Sequence, residues 1–233
     1  MTHLTQLVQD IRAHDRTQLL TLAMVTPKSD LCFMLLTSDL QAANTFEKKL
    51  TVSLGAGVLQ PVYSYLSMTE RSEYTTTDEQ YAAQLKAEAL SEDSDDYRTK
   101  LSEFQVPMKK YLSDRLYPNM SDWPVFCFYP MNKKREVGEN WYALDFDTRK
   151  KLMEGHARTG RKYAGRIRQL ITGSTGFDEW EWFVTLQAKD PLDIKSIVYE
   201  MRFDEVSARY AEFGDFFIGL QLPLAEILRR LCL

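Results

Sequence analysis

Two short stretches hold the residues best suited to chemistry. The first, EGHARTGRKYAGRIRQ (154–169), carries one of only three histidines, followed by Arg158, Arg161, Lys162, Arg166 and Arg168 around two glycines. On a helix, Arg149, Leu152, Met153 and His156 share one face at i, i+3, i+4 and i+7. Leu152 and Met153 are apolar, so His156 is aimed at the interior or at a pocket. It reads either as a hydrogen-bonded core histidine or as an iron ligand. The sequence has no Cys-x-x-Cys, His-x-His or Glu-x-x-His, and His3 and His14 sit in a polar N-terminal segment, so a closed zinc site is not expected. A lone histidine suits haem, which needs a single axial ligand from the protein.

The second stretch is FYPMNKK (128–134). Pro130 is expected to stop a strand there, leaving Tyr129 at the strand end beside Met131 and Lys133. Tyr129 is either a core tyrosine or a redox tyrosine, and a desolvated Lys133 could act as its proton donor. Lys133, Lys134 and Arg135 follow the strand, while Arg115 and Arg202 stand apart. Solvated surface accounts for most of these cations. A tetra-anionic ligand would use several of them, because guanidinium forks pair with carboxylates at two points. Arg202, in IVYEMRFDEVSARY, is read as helical and partly buried, and so in need of a partner. Trp180, Trp182 and Phe183 read as core. No Gly-rich phosphate loop or nucleophile elbow is present.

The elements that must position these residues can be read from periodicity. Residues 19–25 and 31–36 are apolar strands. Residues 38–50 form a helix capped by Ser38 or Asp39. PVYSYLSMTE (61–70) alternates like a strand. The acidic connector that follows is given one helix, over 78–90, and its charges read as solvated surface. Then come a strand at 124–134, a helix at 146–161 capped by Asp145, and a hairpin of 167–174 with 179–187. A helix at 192–201, a strand at 216–222 and a short terminal helix complete the chain. The second half thus has the β-α-β-β-α-β order of a ferredoxin-like fold. FMLLTSDLQAANTFEKKL (33–50) echoes FVTLQAKDPLDIKSIVYE (183–200), each a strand, a turn with Asp39 or Asp190, and a helix. The expected class is α+β: two ferredoxin-like halves, residues 1–112 (with the connector at about 70–112) and 113–233, forming a dimeric α+β barrel. Space between sheet and helices could hold a large apolar ligand.

The composition limits the partners. A net charge of -4 argues against nucleic-acid binding. The apolar runs are all shorter than ten residues, which excludes a membrane-spanning helix. No signal-peptide h-region is visible. Cys32, Cys127 and Cys232 read as buried free thiols of a reducing compartment, so a cytoplasmic protein is expected.

The runs YPMNKKREVGENWYAL, HARTGRKYAGRIRQLITGSTGFDEWEWFVTL and VYEMRFDEVSARYAEFGDFFIG, with DRLYP at 114–118, resemble the chlorite dismutase-like haem protein superfamily. Within it they are similar to the coproheme decarboxylases of monoderm bacteria. The resemblance spans roughly residues 113–222 and is weaker in the first half, through FMLLTSDLQ and VYSYLS. It implies a homopentameric enzyme of haem biosynthesis, with iron coproporphyrin III (coproheme) as substrate and redox cofactor. Hydrogen peroxide would be the oxidant, two propionates would become vinyls with loss of carbon dioxide, and haem b would be the product. Transient contact with a ferrochelatase is also implied.

By the same resemblance, His156 is the proximal iron ligand and Tyr129 the radical-forming tyrosine. Lys133 holds a propionate and assists proton transfer. Arg115, Arg202 and Ser207 bind propionates, as does Tyr97 of the connector. Met131 lies beside the reactive edge, Gln169 over the iron and Trp180 near the porphyrin rim. Asp204 or Glu205 could be a carboxylate partner of His156, though both also read as surface caps. Chlorite dismutases carry an arginine where this chain has Gln169. Strand alternation turns Arg168 and Arg166 away from the face of Gln169, which argues against chlorite chemistry. A chlorite dismutase-like or peroxidase haem enzyme, or a porphyrin-carrying protein, are the alternatives.

Overall fold

A computed structural model describes residues 3–233. The first half opens with helix α1 (His3–Ala13), which buries Leu4, Val8 and Ile11 on one face at helical spacing. Strands β1 (Gln18–Met24) and β2 (Leu31–Leu36) pair antiparallel, from Gln18 opposite Leu36 to Ala23 opposite Leu31. Helix α2 (Leu40–Leu50) follows, and Asp39 caps it by accepting from the Gln41 and Ala42 amides at 2.8 and 3.1 Å.

The expected strand at 61–70 is not laddered. Its only bridge is Met68 to Gly173. The segment instead lies across the sheet, with Tyr63 stacked on Phe217 at 4.9 Å and Tyr65 on Phe183 at 4.4 Å. Its alternation was real, but it meets the sheet only at the end of β6, through Met68 and Gly173, and no ladder extends from that bridge.

The connector holds two helices rather than one. Helix α3 (Asp78–Ala87) starts in a Thr77–Gln80 capping box. Helix α4 (Asp95–Leu116) is 22 residues long, is capped by Ser94 and runs through Pro107. It buries only Tyr97, so no apolar stripe announced it.

The second half begins with β3 (Val125–Lys133), then a small hairpin of β4 (Arg135–Glu136) and β5 (Glu139–Asn140). Helix α5 (Phe146–Arg161) starts at Asp145, which accepts from the Thr148 amide at 2.9 Å. Strands β6 (Ile167–Gly173) and β7 (Trp182–Ala188) form the expected hairpin. Helix α6 (Pro191–Met201) and helix α7 (Glu205–Tyr210) are followed by β8 (Ala211–Phe213), β9 (Phe217–Gln221) and helix α8 (Leu224–Arg230).

The sheet order is β2-β1-β9-β3-β7-β6, with β8 also on β3. The run β9-β3-β7-β6 is the 4-1-3-2 order of a ferredoxin-like unit, and the β1–β9 pairing joins both halves in one sheet. Alternation along β3 sorts its residues cleanly. Val125, Cys127 and Tyr129 pack with Ile167, Val184, Leu186 and Ile197 under the helices, while Phe126 and Phe128 pack on the other face with Leu22 and Phe217.

Three expectations are corrected here. Pro130 does not end β3. The strand runs on to Lys133, and Pro130 sits where one edge changes partner, from β9 at Phe128 to β8 at Met131. A residue without an N–H costs nothing where that edge has no ladder partner. The helix expected through Arg202 is broken: α6 ends at Met201, and Asp204 starts α7. Of the three thiols, Cys127 is buried and Cys32 half-buried, but Cys232 is exposed. Among the described residues no helix is long and apolar enough to cross a membrane.

Candidate functional site

A cavity of about 1230 Å³ lies between α5 and α6 on one side and the sheet face of β3, β6 and β7 on the other, with the end of α4 at its rim. It is larger than most small-molecule sites, and its floor is apolar, including Ile171, Val184, Leu186 and Phe213.

His156 projects into it from α5. Its Nδ1 is 3.0 Å from Asp204 Oδ2, and Nε2 has no protein partner among the described residues. The break between α6 and α7 makes this contact possible. As N-cap of α7, Asp204 accepts from the Ser207 amide at 3.1 Å and the Ser207 hydroxyl at 3.0 Å. Burial works against the Asp204 carboxylate, but His156 and Ser207 outweigh it and hold its pKa below the usual value. An ionised Asp204 keeps the proton on Nδ1, leaving the Nε2 lone pair for the cavity. Asp204 is therefore both a cap and the partner of His156.

Strand alternation puts Tyr129, Met131 and Lys133 on the same wall. Tyr129 is buried, stacked on Phe216 at 4.2 Å with Phe213 edge-on at 5.9 Å. Burial is the main force holding its phenol well above the ordinary range. Lys133 is 8% exposed, with Nζ 4.4 Å from the centre of the Trp141 ring. Burial pushes its pKa down to about 8, against the pull of Asp204 and Glu181. Glu181, itself buried, accepts from the Lys133 amide at 2.9 Å and from the Arg135 guanidinium.

Gln169 faces the cavity from β6, between Ile167 and Ile171. It reaches α5 at Gly160, where an added Cβ would stand 3.2 Å from Gln169 Nε2. Arg168 lies on the opposite face over Trp123, and Arg166 binds Asp193 at 2.8 Å. Neither reaches the cavity wall.

Arg115, in the last turn of α4, donates from Nε to the Glu70 carbonyl at 2.7 Å. Arg202 is exposed rather than partly buried, and it has no carboxylate partner among the described residues. Its guanidinium stacks over Phe213 at 4.7 Å and Phe216 at 5.9 Å instead. Ser207 completes the set on the wall.

The structure does not bring Trp180 to this wall. Its ring packs against Gly214, and Trp182 lines the cavity. Tyr97 is buried at the start of α4, away from the wall. Further along α4, Met108, Tyr111 and Arg115 line the cavity at i, i+3 and i+7. That spacing was a readable signal once the segment is known to be helical. Arg149, on the helix face of His156, also lines the cavity, and Trp141 went unnoticed in the sequence.

Eight Lys and Arg side chains line the cavity against four carboxylates, in a chain of net charge -4. Arg71, Arg115, Lys150, Arg161 and Arg202 have no carboxylate within ion-pair distance among the described residues. An apolar slot with surplus cations at its rim and one free imidazole nitrogen on its wall fits an iron porphyrin bearing several carboxylates.

A profile of the chlorite dismutase family matches residues 1–222. The chain is 44% identical over 196 residues to a coproheme decarboxylase of Staphylococcus carnosus (strain TM300), covering 84% of this chain and 70% of that protein. A haem-binding protein from Thermus thermophilus has a similar structure, with a TM-score of 0.79 and 37% identity, covering 98% of this chain and 83% of that one. A variant of chlorite dismutase from Candidatus Nitrospira defluvii shares the fold at a TM-score of 0.70 and 17% identity, covering 99% and 84% of the two chains.

Proposed function

The chain belongs to the chlorite dismutase family, and within it we propose that this protein is a coproheme decarboxylase of haem biosynthesis. It oxidatively decarboxylates two propionates of iron coproporphyrin III to vinyls with hydrogen peroxide and releases haem b. The observation that carries this reading is the pairing of Tyr129 with a desolvated Lys133 on one strand face of a cation-rich cavity that also holds a free His156 Nε2.

When bound and met by peroxide, the iron porphyrin supplies the oxidising power. His156 holds the iron through Nε2, and Asp204 keeps the ring in place. Arg115, Arg202, Lys133 and Ser207 bind propionates, with Met131 beside the reacting edge and Gln169 over the open face. Burial keeps Tyr129 a neutral phenol, so it has a hydrogen atom to give up and can then take one from a propionate methylene. Each propionate leaves as carbon dioxide with loss of one proton and two electrons. Each peroxide takes up two electrons and two protons to become water. One further proton is therefore needed per vinyl. Lys133, poised near neutrality, relays it. Gln169 is neutral, and Arg166 and Arg168 are held on other faces, which disfavours the chlorite reaction.

The active form is a homopentamer in the cytoplasm, supplied with coproheme by transient contact with a ferrochelatase. The test is ferric coproheme with purified protein, titrated with peroxide and followed by chromatography and mass spectrometry. Stepwise loss of two carboxyl groups supports the decarboxylase. Coproheme that binds and stays intact would overturn it in favour of a carrier.

A further inference from the structure

The β3–β7 ladder ends at Met131 opposite Trp182, where β7 begins. The two segments stay joined for one more step through side chains. The Glu181 amide donates to Asn132 Oδ1 at 2.8 Å, and the Lys133 amide donates to Glu181 Oε2 at 2.9 Å. Side-chain oxygens thus stand in for the ladder just where it runs out. On its other edge Lys133 is paired with Ala211 of β8. The last residue of β3 is therefore tied on both sides.

That task needs an oxygen, not a charge. A glutamine could accept from the Lys133 amide equally well, without the cost of burying a carboxylate. Glu181 is 5% exposed, and its other oxygen is met by the Arg135 guanidinium, whose side chain lies mostly in water. The charge matters to what stands beside it. Two carboxylates pull Lys133 upward against burial, Asp204 from the start of α7 and Glu181 from the start of β7. Asp204 is committed to His156 of α5 and to Ser207. Glu181 answers to Arg135 of β4 and faces the Tyr142 phenol, which burial and this carboxylate raise well above the ordinary range. Tyr129, further back on β3, is held neutral by burial.

We propose that Glu181 is the positioning residue of Lys133. It fixes the strand end from which the lysine projects, and its charge keeps the ammonium protonated for proton transfer, with Arg135 setting how much of that charge the lysine feels. This role rests on the decarboxylase reading of the same cavity.

Two variants separate charge from geometry. Glu181→Gln keeps an oxygen for the Lys133 amide and removes the charge, and the exposed Arg135 can turn into water. Arg135→Gln keeps Glu181 and unmasks it. The full ligand-free protein is labelled with carbon-13 at the lysine Cε, and the resonance missing from Lys133→Met is titrated by NMR. The wild-type midpoint is expected at about 8. Glu181→Gln should lower it by about half a unit or more, and Arg135→Gln should raise it. The alkaline limb of coproheme decarboxylation should move the same way in each variant. A Glu181 that only held the strand end would lose rate without these opposite shifts. A midpoint that stays or rises in Glu181→Gln, shifts of the same sign in both variants, or a rate limb that stays put while the midpoint moves would each overturn the proposal. Wild-type protein that forms no vinyl product would overturn the decarboxylase reading instead, and the midpoints, read without ligand, would still decide whether Glu181 sets the charge of Lys133.

Discussion

Replacing Lys133 by methionine should make the protein more stable and less active, and the gain should depend on pH in a defined way. The lysine is 8% exposed and its pKa falls from 10.5 to about 8, chiefly by burial. At about 1.4 kcal/mol per pKa unit, the buried ammonium costs the fold about 3 kcal/mol at pH 7. Methionine keeps the length and apolar bulk but removes the charge. It also loses the contact with Trp141, worth about 1 kcal/mol, leaving a net gain of about 2 kcal/mol. The folded pKa lies below the unfolded one, so between about pH 8 and 10.5 the unfolded chain binds more protons and wild-type stability rises with pH. By pH 10 the folded-state lysine is neutral, and the advantage of Lys133→Met should fall below about 1 kcal/mol. Urea unfolding of both ligand-free proteins at the two pH values, followed by circular dichroism, measures the difference. An advantage that is equal at both pH values, or a variant less stable at pH 7, would refute the burial argument.

Tyr129→Phe should bind coproheme within about a factor of two of wild type, since the hydroxyl makes no hydrogen bond among the described residues, yet form no vinyl product by chromatography. Asp204→Asn should weaken ferric coproheme binding by about 10- to 100-fold, read by absorbance titration. The same change should leave the α7 cap nearly intact, since an asparagine oxygen can still accept from the Ser207 amide, and thermal unfolding should move little. For Arg202→Ala the expected loss is about 1.5–3 kcal/mol of coproheme affinity, shrinking as salt is raised. A salt-independent loss would instead assign Arg202 a packing role on Phe213 and Phe216.

Much of the site was legible because strands and helices impose fixed side-chain periods. The two-residue period separated Gln169 from Arg168; it also sets Tyr129, Met131 and Lys133 on one wall, which the stop expected at Pro130 had hidden. The 3.6-residue period aimed His156 inward, and Asp145 marked where its helix begins. What escaped the sequence was decided by distant parts of the chain. FDE at 203–205 reads as continuous helix, but α6 stops and Asp204 turns to cap α7 and hold His156. Helix α4 has no apolar stripe because one face lies over an open cavity, so Met108, Tyr111 and Arg115 were not seen as a set. Pro130 carries a local stop signal, overruled because the strand beside it changes at that point. Residues 61–70 alternate as a strand should, but they cross the face of the sheet on Phe217 and Phe183 and bridge it only at Met68.

The carboxylate of Asp204 serves two masters with a single charge. It anchors the first turn of α7 and the ring of His156 together, so neither can be released alone. Acid acts on both at once. The stabilisation this carboxylate provides is complete above the ordinary carboxylate range and is lost as pH falls through its depressed folded-state value. Protonation would then fray the helix and free the imidazole in one cooperative event, a built-in fuse between the grip on the ligand and the integrity of the wall that contains it.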